Sequence, residues 1–337
     1  MPRSTDRPSI RDVAAQAGVS YQTVSRVLNE PDRVTPATRA RVQKVIDKLG
    51  YRPNKVARAL ATNESMMIGV VTIHATLFGP IQTHYAIDEG ARARGYIAAT
   101  VTIQDDSQQS LDEAREQLLA LGVEGVVISA WSAPVLGMAE RIAERIPTVV
   151  IADGEVPESM ARVSADNYTG AQLAVQALLA SGRRRIGHLA GPTGWLEAEA
   201  RRAGWRDAAG DNAGPLVEAS WRSGDGYAGV DEMIAAGVDA IFAANDLVAV
   251  GAIRRLTERG LSVPDDVAIV GYDDEEIAPY LTVPLASVKQ PFAELGVAAI
   301  DLLFELMNGA QPSTVRLHAK YRHRESAGAV DPAEVGE

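Results

Sequence analysis

The sequence predicts an α/β protein: a helix-turn-helix head with a hinge helix, followed by a larger body of two subdomains with parallel sheets. Three observations lead to this prediction. The first sixty residues contain three short amphipathic helix patterns. From residue 66 onward, short continuous apolar runs alternate with helix-length segments, which is typical of parallel sheets covered on both faces. Basic residues are concentrated at the N-terminus, where residues 1–64 hold 12 basic and 6 acidic side chains.

The composition is that of a soluble globular protein. Its 337 residues suffice for two or three domains, and 46% of them are apolar and 23% charged. No apolar run approaches the roughly 20 residues that a membrane helix needs, and the first residues lack the apolar core of a signal peptide. The absence of cysteine excludes disulfides, thiolate zinc sites and thiol nucleophiles. These features indicate a cytoplasmic protein.

The distribution of charge is more informative than the net charge of −11, which alone argues against a nucleic-acid partner. Residues 1–64 carry a net charge of +6, whereas the remaining 273 residues carry −17. A small basic head on a large acidic body indicates a polyanion-binding module joined to a part that binds something else.

The first and third helices of the head have clear start and stop signals. Ser9 can cap the first helix, and Asp12 can complete a capping box. The third helix is expected to begin at Thr35, with Pro36 in its first turn, and to end at Gly50. The apolar residues of these helices fall on one face of each, which we expect to be buried. They are Ile10, Val13, Ala14, Ala17, Val42, Val45, Ile46 and Leu49.

The second helix is expected to begin after Ser20 and to bury Val24, Val27 and Leu28. Its opposite face consists of hydrogen-bonding side chains, as in a helix that lies in the major groove and contacts base edges. A solvated bundle with a functionless polar face is the alternative, but the basic charge of the head favours DNA. The head residues that we expect at DNA are Ser20, Tyr21, Gln22, Ser25, Arg26, Asn29 and Thr35.

Two segments of the head resemble one known family. VSYQTVSRVLN, which ends at Asn29, resembles the recognition segment of the LacI/GalR family of bacterial transcriptional repressors, and YRPNKVARAL, which ends at Leu60, resembles its hinge motif. The similarity continues to about Arg324. It implies that Asn54, Ala57 and Leu60 also contact DNA, with Leu60 wedged into the minor groove.

A hinge helix of about two turns is too short to be stable alone in water, so it is expected to form only against a twin in a DNA-bound dimer. The alternative is that Val56 and Leu60 are ordinary packing residues of an interdomain linker.

The body is expected to contain two doubly wound subdomains, because its strand patterns are too many for one sheet. A helix is expected at 80–94. The strands are expected at 67–73, 96–103, 125–130, 148–152, 185–190, 239–244 and 267–272. The family resemblance implies a periplasmic-binding-protein-like body whose subdomains are joined by three crossovers, near Ala165, Gln290 and Tyr321.

These expectations divide the chain as follows. The head spans 1–53, the hinge and linker 54–65, the body 66–326 and a flexible tail 327–337. Within the body, the N-subdomain takes about 66–165 and 290–321, and the C-subdomain about 166–289 and 322–326. The tail lacks an apolar heptad pattern, so we expect a homodimer rather than a larger assembly.

Sequence motifs of enzymes are missing. There is no dinucleotide fingerprint, Walker A loop, nucleophile elbow or His-Glu-x-x-His motif, and the five histidines lack metal-ligand spacing. The acidic run that begins at Asp273 is interpreted as a solvated or helix-capping loop. We therefore expect no catalysis, no cofactor and no metal.

A ligand cleft is expected where polar residues end several strands. Ser129, Asn245 and Asp273 stand at such ends, where open α/β sheets bind their ligands. Carboxylates and amides there suit a polyhydroxy ligand, whose hydroxyls must all be paired once desolvated. The resemblance adds Arg201, a rigid five-donor fork, together with Trp221 and Gln290, as effector contacts.

Each of these residues also has an ordinary structural interpretation. Asp246 is interpreted as an N-cap rather than a ligand contact, Trp221 could be core or rim packing, and Arg201 could pair with Glu197 or Glu199 on its own helix.

The sequence departs from the family pattern at three cleft positions. A carboxylate that many sugar-responsive members place directly after the fourth strand is shifted by one residue to Asp153, and Ser129 and Ala165 replace an amide and an aromatic residue of one member. A saccharide therefore stays the expected ligand, while a galactoside is only plausible.

The function expected is that of a DNA-binding transcriptional repressor released from its operator by a small effector, which we expect to be a sugar. Its partners are then operator DNA, a saccharide and a second copy of the chain. A purine-type corepressor arrangement, in which the ligand strengthens DNA binding, is the alternative within the family, and a solute-binding protein is a further one.

Overall fold

The computed structural model describes residues 8–52, 64–73 and 77–329. It divides into two compact units, Met1–Ser65 and Met66–Glu337. The hinge expected at 54–65 lies largely outside the described residues, and so do its predicted DNA contacts Asn54, Ala57 and Leu60.

The head consists of three helices whose ends follow from local capping. They are α1 (Ile10–Ala17), α2 (Tyr21–Asn29) and α3 (Pro36–Leu49). Ser9 Oγ accepts the N–H of Asp12 at 3.3 Å, and the Asp12 carboxylate accepts the N–H of Ser9 at 2.7 Å, which confirms the capping box. Gly18 and Gly50 end α1 and α3 in the left-handed conformation that glycine adopts without strain.

The three helices share one apolar core. Its fully buried members include Val13, Val24 and Val42, and Ile46 is 7% exposed. Leu28 and Val45, which were expected to face inward, pack against this core while staying half-buried. The polar side of α2 is therefore left on the outside.

The body contains twelve described strands and eight described helices. The strands are β1 (Met67–Ile73), β2 (Ile97–Ile103), β3 (Gly125–Ser129), β4 (Thr148–Ile151), β5 (Ala161–Ala165), β6 (Ile186–Ala190), β7 (Ala213–Glu218), β8 (Ala240–Ala243), β9 (Ala268–Asp273), β10 (Ala286–Lys289), β11 (Thr314–Leu317) and β12 (Lys320–Arg322). The helices are α4 (Phe78–Ala93), α5 (Gln108–Leu121), α6 (Ala133–Ala143), α7 (Asn167–Ala180), α8 (Leu196–Ala209), α9 (Ser223–Ala235), α10 (Asp246–Glu258) and α11 (Phe292–Met307).

The strands form two six-stranded sheets with the same topology. The order is β11-β5-β4-β3-β1-β2 in the first and β12-β10-β9-β8-β6-β7 in the second. All neighbours are parallel except β10 and β12, which pair antiparallel. An apolar layer covers each face of each sheet, as expected for parallel sheets. The expectation of two doubly wound subdomains is confirmed.

The chain crosses between the two sheets three times. The first crossing follows Ala165, and the second passes through Gln290, which links β10 to α11, as expected. The third lies between Leu317 and Lys320, whereas it was expected near Tyr321, which instead lies in β12 of the second sheet. The packed body also extends further than expected, because Ala327 is fully buried rather than part of a loose tail.

No helix in the described part of the chain is long and apolar enough to cross a membrane.

Candidate ligand cleft and DNA-binding face

The outer face of α2 carries the side chains expected at DNA. Tyr21 and Gln22 are exposed at its N-terminal end, and Tyr21 is 56% exposed despite its size. Arg26 is exposed one turn further on, and Ser25 is half-buried. The outer face of α2 therefore carries exposed polar groups, as a helix that contacts base edges requires.

Two of the predicted DNA contacts also serve the fold. Ser20 Oγ accepts the N–H of Thr23 at 3.1 Å and so caps α2. Thr35 begins α3 without a side-chain cap, and its hydroxyl donates to Thr38 Oγ1 at 3.0 Å. Asn29 ends α2, and its side chain lies outside the described part of the structure.

The body contains a cleft of about 850 Å³, measured with the open space at its mouth, beside the carboxyl ends of strands from both sheets. The structure brings all six predicted effector-binding residues together around it. They are Ser129, Arg201, Trp221, Asn245, Asp273 and Gln290. Ala165 and Asp153, the other two positions of departure from the family pattern, line the same cleft.

Arg201, on α8, is the centre of the polar network in this cleft. It is 4% exposed, and its Nε donates to Asn167 Oδ1 at 2.8 Å. One terminal nitrogen donates to the carbonyl of Ala244, and the other lies 3.6 Å from the Asp273 carboxylate. The charged partner of Arg201 is thus Asp273. The alternative of a glutamate on its own helix is wrong for Glu199, which lies 3.5 Å from Arg202 instead.

The network extends in both directions from Arg201. On one side, Asn167 donates to Asp153 Oδ2 at 2.6 Å. On the other, Gln290 donates to Asp273 Oδ1 at 2.7 Å. Asp273 has a φ of +100°, a backbone conformation that residues other than glycine rarely adopt, and these contacts help to hold it there. One continuous chain of hydrogen bonds and ion pairs therefore runs from the end of β4 to the second crossing.

Burial raises the pKa values of the carboxyl groups in the cleft. It raises the pKa of Asp153 to about 6, although the Asn167 amide and the charge of Arg201 oppose the shift. Burial, together with the neighbouring Asp153, raises the pKa of Glu197 to about 8. The pKa of Asp273 is also raised by burial, against the opposing effects of Arg201 and Gln290. A carboxyl group in this cleft can therefore hold a proton at neutral pH.

Asn245 is the cap of α10. Its Oδ1 accepts the N–H of Val248 at 2.9 Å, and its Nδ2 donates to the carbonyl of Trp221 at 3.2 Å. The interpretation of Asp246 as the N-cap is therefore wrong. Asp246 is the first residue inside the helix, and its carboxylate accepts from Ser287 Oγ at 2.6 Å and from the N–H of Glu275 at 2.7 Å.

Aromatic rings form another part of the cleft. The Trp221 ring lies edge-on to Trp195, with centroids 5.4 Å apart, and the Arg201 guanidinium lies 5.4 Å from the Trp221 ring centroid. Trp195 in turn lies 6.1 Å from Trp131. Trp221 is 9% exposed, and its indole N–H has no hydrogen-bond partner among the described residues. Trp221 is thus both packing and cleft wall.

Sequence reasoning missed several residues that line the cleft. Asn167 and Ser164 lie around the end of β5, a strand that had not been expected. Glu197 was considered only as a partner of Arg201, and Trp195 was not considered. The signal that could have found Asn167 and Ser164 is that polar residues at the end of any parallel strand meet at the cleft. Within the described residues no group of three or more acidic or histidine side chains could hold a metal ion.

A helix-turn-helix head on the same chain as a two-sheet body with a ligand cleft defines a ligand-responsive DNA-binding regulator. Comparison with known families agrees. Residues 9–54 match "Bacterial regulatory proteins, lacI family", and residues 175–327 match "Periplasmic binding protein-like domain". The chain belongs to the lacI family of bacterial regulatory proteins.

Individual relatives cover almost the whole chain. The lactose operon repressor of Escherichia coli is 34% identical over 89% of this chain and 85% of its own. The repressor PurR of Mannheimia succiniciproducens is 30% identical over 94% of this chain and 98% of its own. Among solved structures, the Lac repressor dimer bound to operator and the anti-inducer ONPF matches with a TM-score of 0.88 at 32% identity, covering 96% of this chain and all of that one. The CelR–cellobiose complex matches with a TM-score of 0.71 at 30% identity, and the match covers 95% of this chain and all of that one.

Proposed function

We propose that this protein is a dimeric transcriptional repressor that binds operator DNA through its head and is released when a saccharide binds in the cleft of its body. The observation that carries the saccharide is the cleft itself, where a connected set of carboxylate, amide and guanidinium groups lies beside aromatic faces. Such a wall pairs hydroxyl groups on one side and packs against the C–H side of a sugar ring on the other. The relatives named for lactose and bound to cellobiose support this choice.

Release requires that the ligand and the operator prefer different states of the dimer. A hundredfold loss of operator affinity needs about 2.7 kcal/mol of coupling, which is within the usual range. The cleft lies between two sheets joined by three crossings, so closure on a ligand changes the angle between the subdomains. The hinge helices, which lie outside the described residues, would separate as a result. On this proposal the protein acts in the cytoplasm and has no catalytic role.

The test begins with a semi-palindromic site selected from a random duplex pool by the full-length protein. We expect at least one member of a panel of neutral saccharides to weaken binding to that site in a fluorescence-anisotropy titration. A nucleobase that strengthens binding, with no saccharide weakening it, would favour the corepressor arrangement instead. Failure to select any DNA sequence would leave the solute-binding alternative and contradict the proposal.

Sequence recognition is tested separately by Gln22→Ala. Gln22 is exposed on the outer face of α2, and loss of a base-edge contact costs about 1–3 kcal/mol of discrimination. We expect the variant to bind the selected site more weakly while binding random DNA as before. Gln43→Ala is the matched control, since Gln43 lies on α3, where its amide donates to Asp47 at 2.9 Å. If Gln22→Ala lost the same affinity for both DNAs, Gln22 would be assigned to contacts with the DNA phosphate backbone rather than with the bases.

The affinity of the head is also expected to depend steeply on salt. Each head carries a net charge of +6 over residues 1–64, and a dimer uses two heads. Displacement of counterions from the phosphates then gives a log–log slope on the order of −6 to −10. Titrations between low and moderate salt that show no change in affinity would contradict a phosphate-dominated interface.

A further inference from the structure

The charges that line the cleft are strongly unbalanced. Four carboxyl groups face it, and Arg201 is the one cationic side chain among the described residues that line it. The carboxyl groups belong to Asp153, Glu197, Asp273 and Glu275. Such an excess is costly in a partly buried site unless a partner of opposite charge is supplied.

Arg201 supplies one positive charge against four carboxyl groups, and its nitrogens already have partners within the protein. Two of them donate to Asn167 and to the carbonyl of Ala244, and the third faces Asp273. Asp153 is contacted by the neutral amide of Asn167, at 2.6 Å. Glu197 Oε2 is buried and has no hydrogen-bond partner within the described part of the chain. Of these two carboxyl groups, Asp153 is close enough to Glu197 for its charge to raise the pKa of Glu197.

Two hydrogen-bond donors in the cleft lack acceptors among the described residues. The indole N–H of Trp221, 9% exposed, and the hydroxyl of Ser164, 1% exposed, have no partner among the residues that the structure describes. Both residues line the cleft. Buried donors without acceptors are costly in the free protein and are satisfied by hydroxyl or ring oxygens of a bound molecule.

We infer that the effector is an amino sugar: its ammonium group is bound by Glu197 together with Asp153, and its oxygens accept hydrogen bonds from Trp221 and Ser164. This inference rests on the proposed saccharide function and specifies its ligand. Hydrogen bonds between ammonium and carboxylate are charge-assisted and stronger than those between neutral groups. A phosphorylated sugar, in contrast, would add negative charge to a cleft that is lined by four carboxyl groups and one arginine, and that arginine already faces Asp273.

The protonation of Glu197 and Asp153 supports the same ligand. Burial raises the pKa of Glu197 to about 8 and that of Asp153 to about 6, so Glu197 holds a proton at pH 7 when no cation is present. An ammonium group binds in its place, and a proton leaves for the solvent. A neutral sugar takes a hydrogen bond from the protonated carboxyl group without displacing that proton.

The experiment compares matched ligands by calorimetry on the full-length protein. The pairs are glucose with 2-amino-2-deoxyglucose, galactose with its 2-amino form, and cellobiose with its diamino counterpart. The N-acetylated amino sugars serve as uncharged controls. The 6-phosphorylated parent sugars serve as anionic controls. We expect the amino member of one pair to bind at least tenfold more tightly than its parent and to release a proton at pH 7. The release is measured as a dependence of the heat on the buffer.

The substitution Glu197→Gln keeps the shape of the side chain and removes its charge. We expect it to bring the affinities for the amino sugar and its parent within about twofold of each other. Glu199→Gln is the control, since Glu199 lies on the same helix and pairs with Arg202 outside the cleft lining, and it should keep the full preference. If Glu197→Gln does not fold, Asp153→Asn reports on the same subsite and should lower the preference as well.

The outcomes separate this inference from the function on which it rests. Parent sugars that bind and release the operator, with no tighter binding of any amino form, would overturn the amino-sugar assignment and leave the saccharide repressor standing. A preference for the amino form that survives both substitutions would overturn the role of Glu197 and Asp153. If no saccharide of either kind binds, both proposals are wrong.

Discussion

The two sheets of the body share one strand order, yet the two walls of the cleft are built differently. In the wall from the second sheet, Arg201, Asn245 and Asp273 already have partners within the protein, and the exceptions among the described residues are Glu197 Oε2 and the indole N–H of Trp221. The wall from the first sheet holds the Ser164 hydroxyl, which has none among the described residues, and the rings of Phe78 and Phe292, edge-on at 5.8 Å. A side chain that has partners is held in place before the ligand arrives, whereas the Ser164 hydroxyl gains a partner only when the ligand binds. The network around Arg201 is therefore the more preorganised part of the cleft.

The largest effect is expected from Arg201→Ala, which removes the centre of the polar network in the second wall. Removal of this side chain leaves Asp273 and Asn167 buried without their partner, so we expect the free energy of unfolding of the body to fall by about 3–5 kcal/mol. We also expect the response to effector to be lost. Urea unfolding followed by circular dichroism measures the first effect, and operator release measures the second.

Arg202→Ala is the control for this substitution. Arg202 is the next residue on α8, but its ion pair with Glu199 lies outside the cleft lining. A loss of less than about 1 kcal/mol is expected, because the pair is partly open to solvent and is not part of the buried network. Equal losses for the two arginines would contradict the idea that the second wall is held together by Arg201.

Glu197 is one of the groups of the second wall that lack a partner among the described residues, and its effect appears in the pH dependence of stability. Its pKa is raised from 4.5 in the unfolded chain to about 8 in the folded protein. Between these values the folded state binds more protons than the unfolded state, so the free energy of unfolding falls as pH rises, by at most about 1.4 kcal/mol per pH unit.

The window from pH 6.5 to 8 isolates this group best. His188 contributes mainly below this window, because burial lowers its pKa from 6.5 to about 3 and the unfolded imidazole is largely deprotonated above pH 7. Other buried carboxyl groups, such as Asp246, are common to both proteins when the natural chain is compared with Glu197→Gln. We expect stability to fall across this window in the natural chain and less in the variant. Identical slopes in urea unfolding at several pH values would show that Glu197 is ionised in the folded state.

The smallest effect is expected in the first wall, from Ser164→Ala. The free protein should be as stable as before or slightly more so, because a buried hydroxyl without a partner is removed. Ligand affinity should fall by about 0.5–1.5 kcal/mol, the usual contribution of one hydrogen bond. Ser132→Ala is matched to it, since Ser132 Oγ is also buried without a partner among the described residues but does not line the cleft. If both variants lose ligand affinity equally, the loss does not come from a contact in the cleft.

The parts of the fold that could be predicted are those that depend on neighbours in sequence. The capping box at Ser9 and the stop at Gly50 are local, and both are confirmed. Strands such as β1 are continuous apolar runs and were placed well. Strand β5, with sequence ARVSA, and β7, with sequence AGPLVE, have no such run. They become strands because a parallel neighbour pairs with them, and one segment alone does not contain that information.

The site was predictable to the extent that strand ends converge. Asn245 and Asp273 could be placed together because parallel strands end at one edge of a sheet. The partner of Arg201 could not be found in this way, because several acidic residues were within reach along the chain and only the folded backbone selects Asp273. Glu197 resembled a surface residue of an amphipathic helix, and only the packing of its surroundings shows that its Oε2 atom is buried.

The row of indole rings has an optical consequence. Three of the four tryptophans, Trp131, Trp195 and Trp221, lie next to one another, with neighbouring centroids 6.1 and 5.4 Å apart. Excitation energy passes readily between rings at such distances, so light absorbed anywhere in the row can be emitted from the ring that faces the cleft. The fourth, Trp205, lies apart beside His188. The intrinsic ultraviolet emission of the protein is therefore dominated by these three tryptophans. Because Trp221, at one end of the row, changes its surroundings when the cleft fills, the fluorescence of the protein reports ligand binding without an added dye.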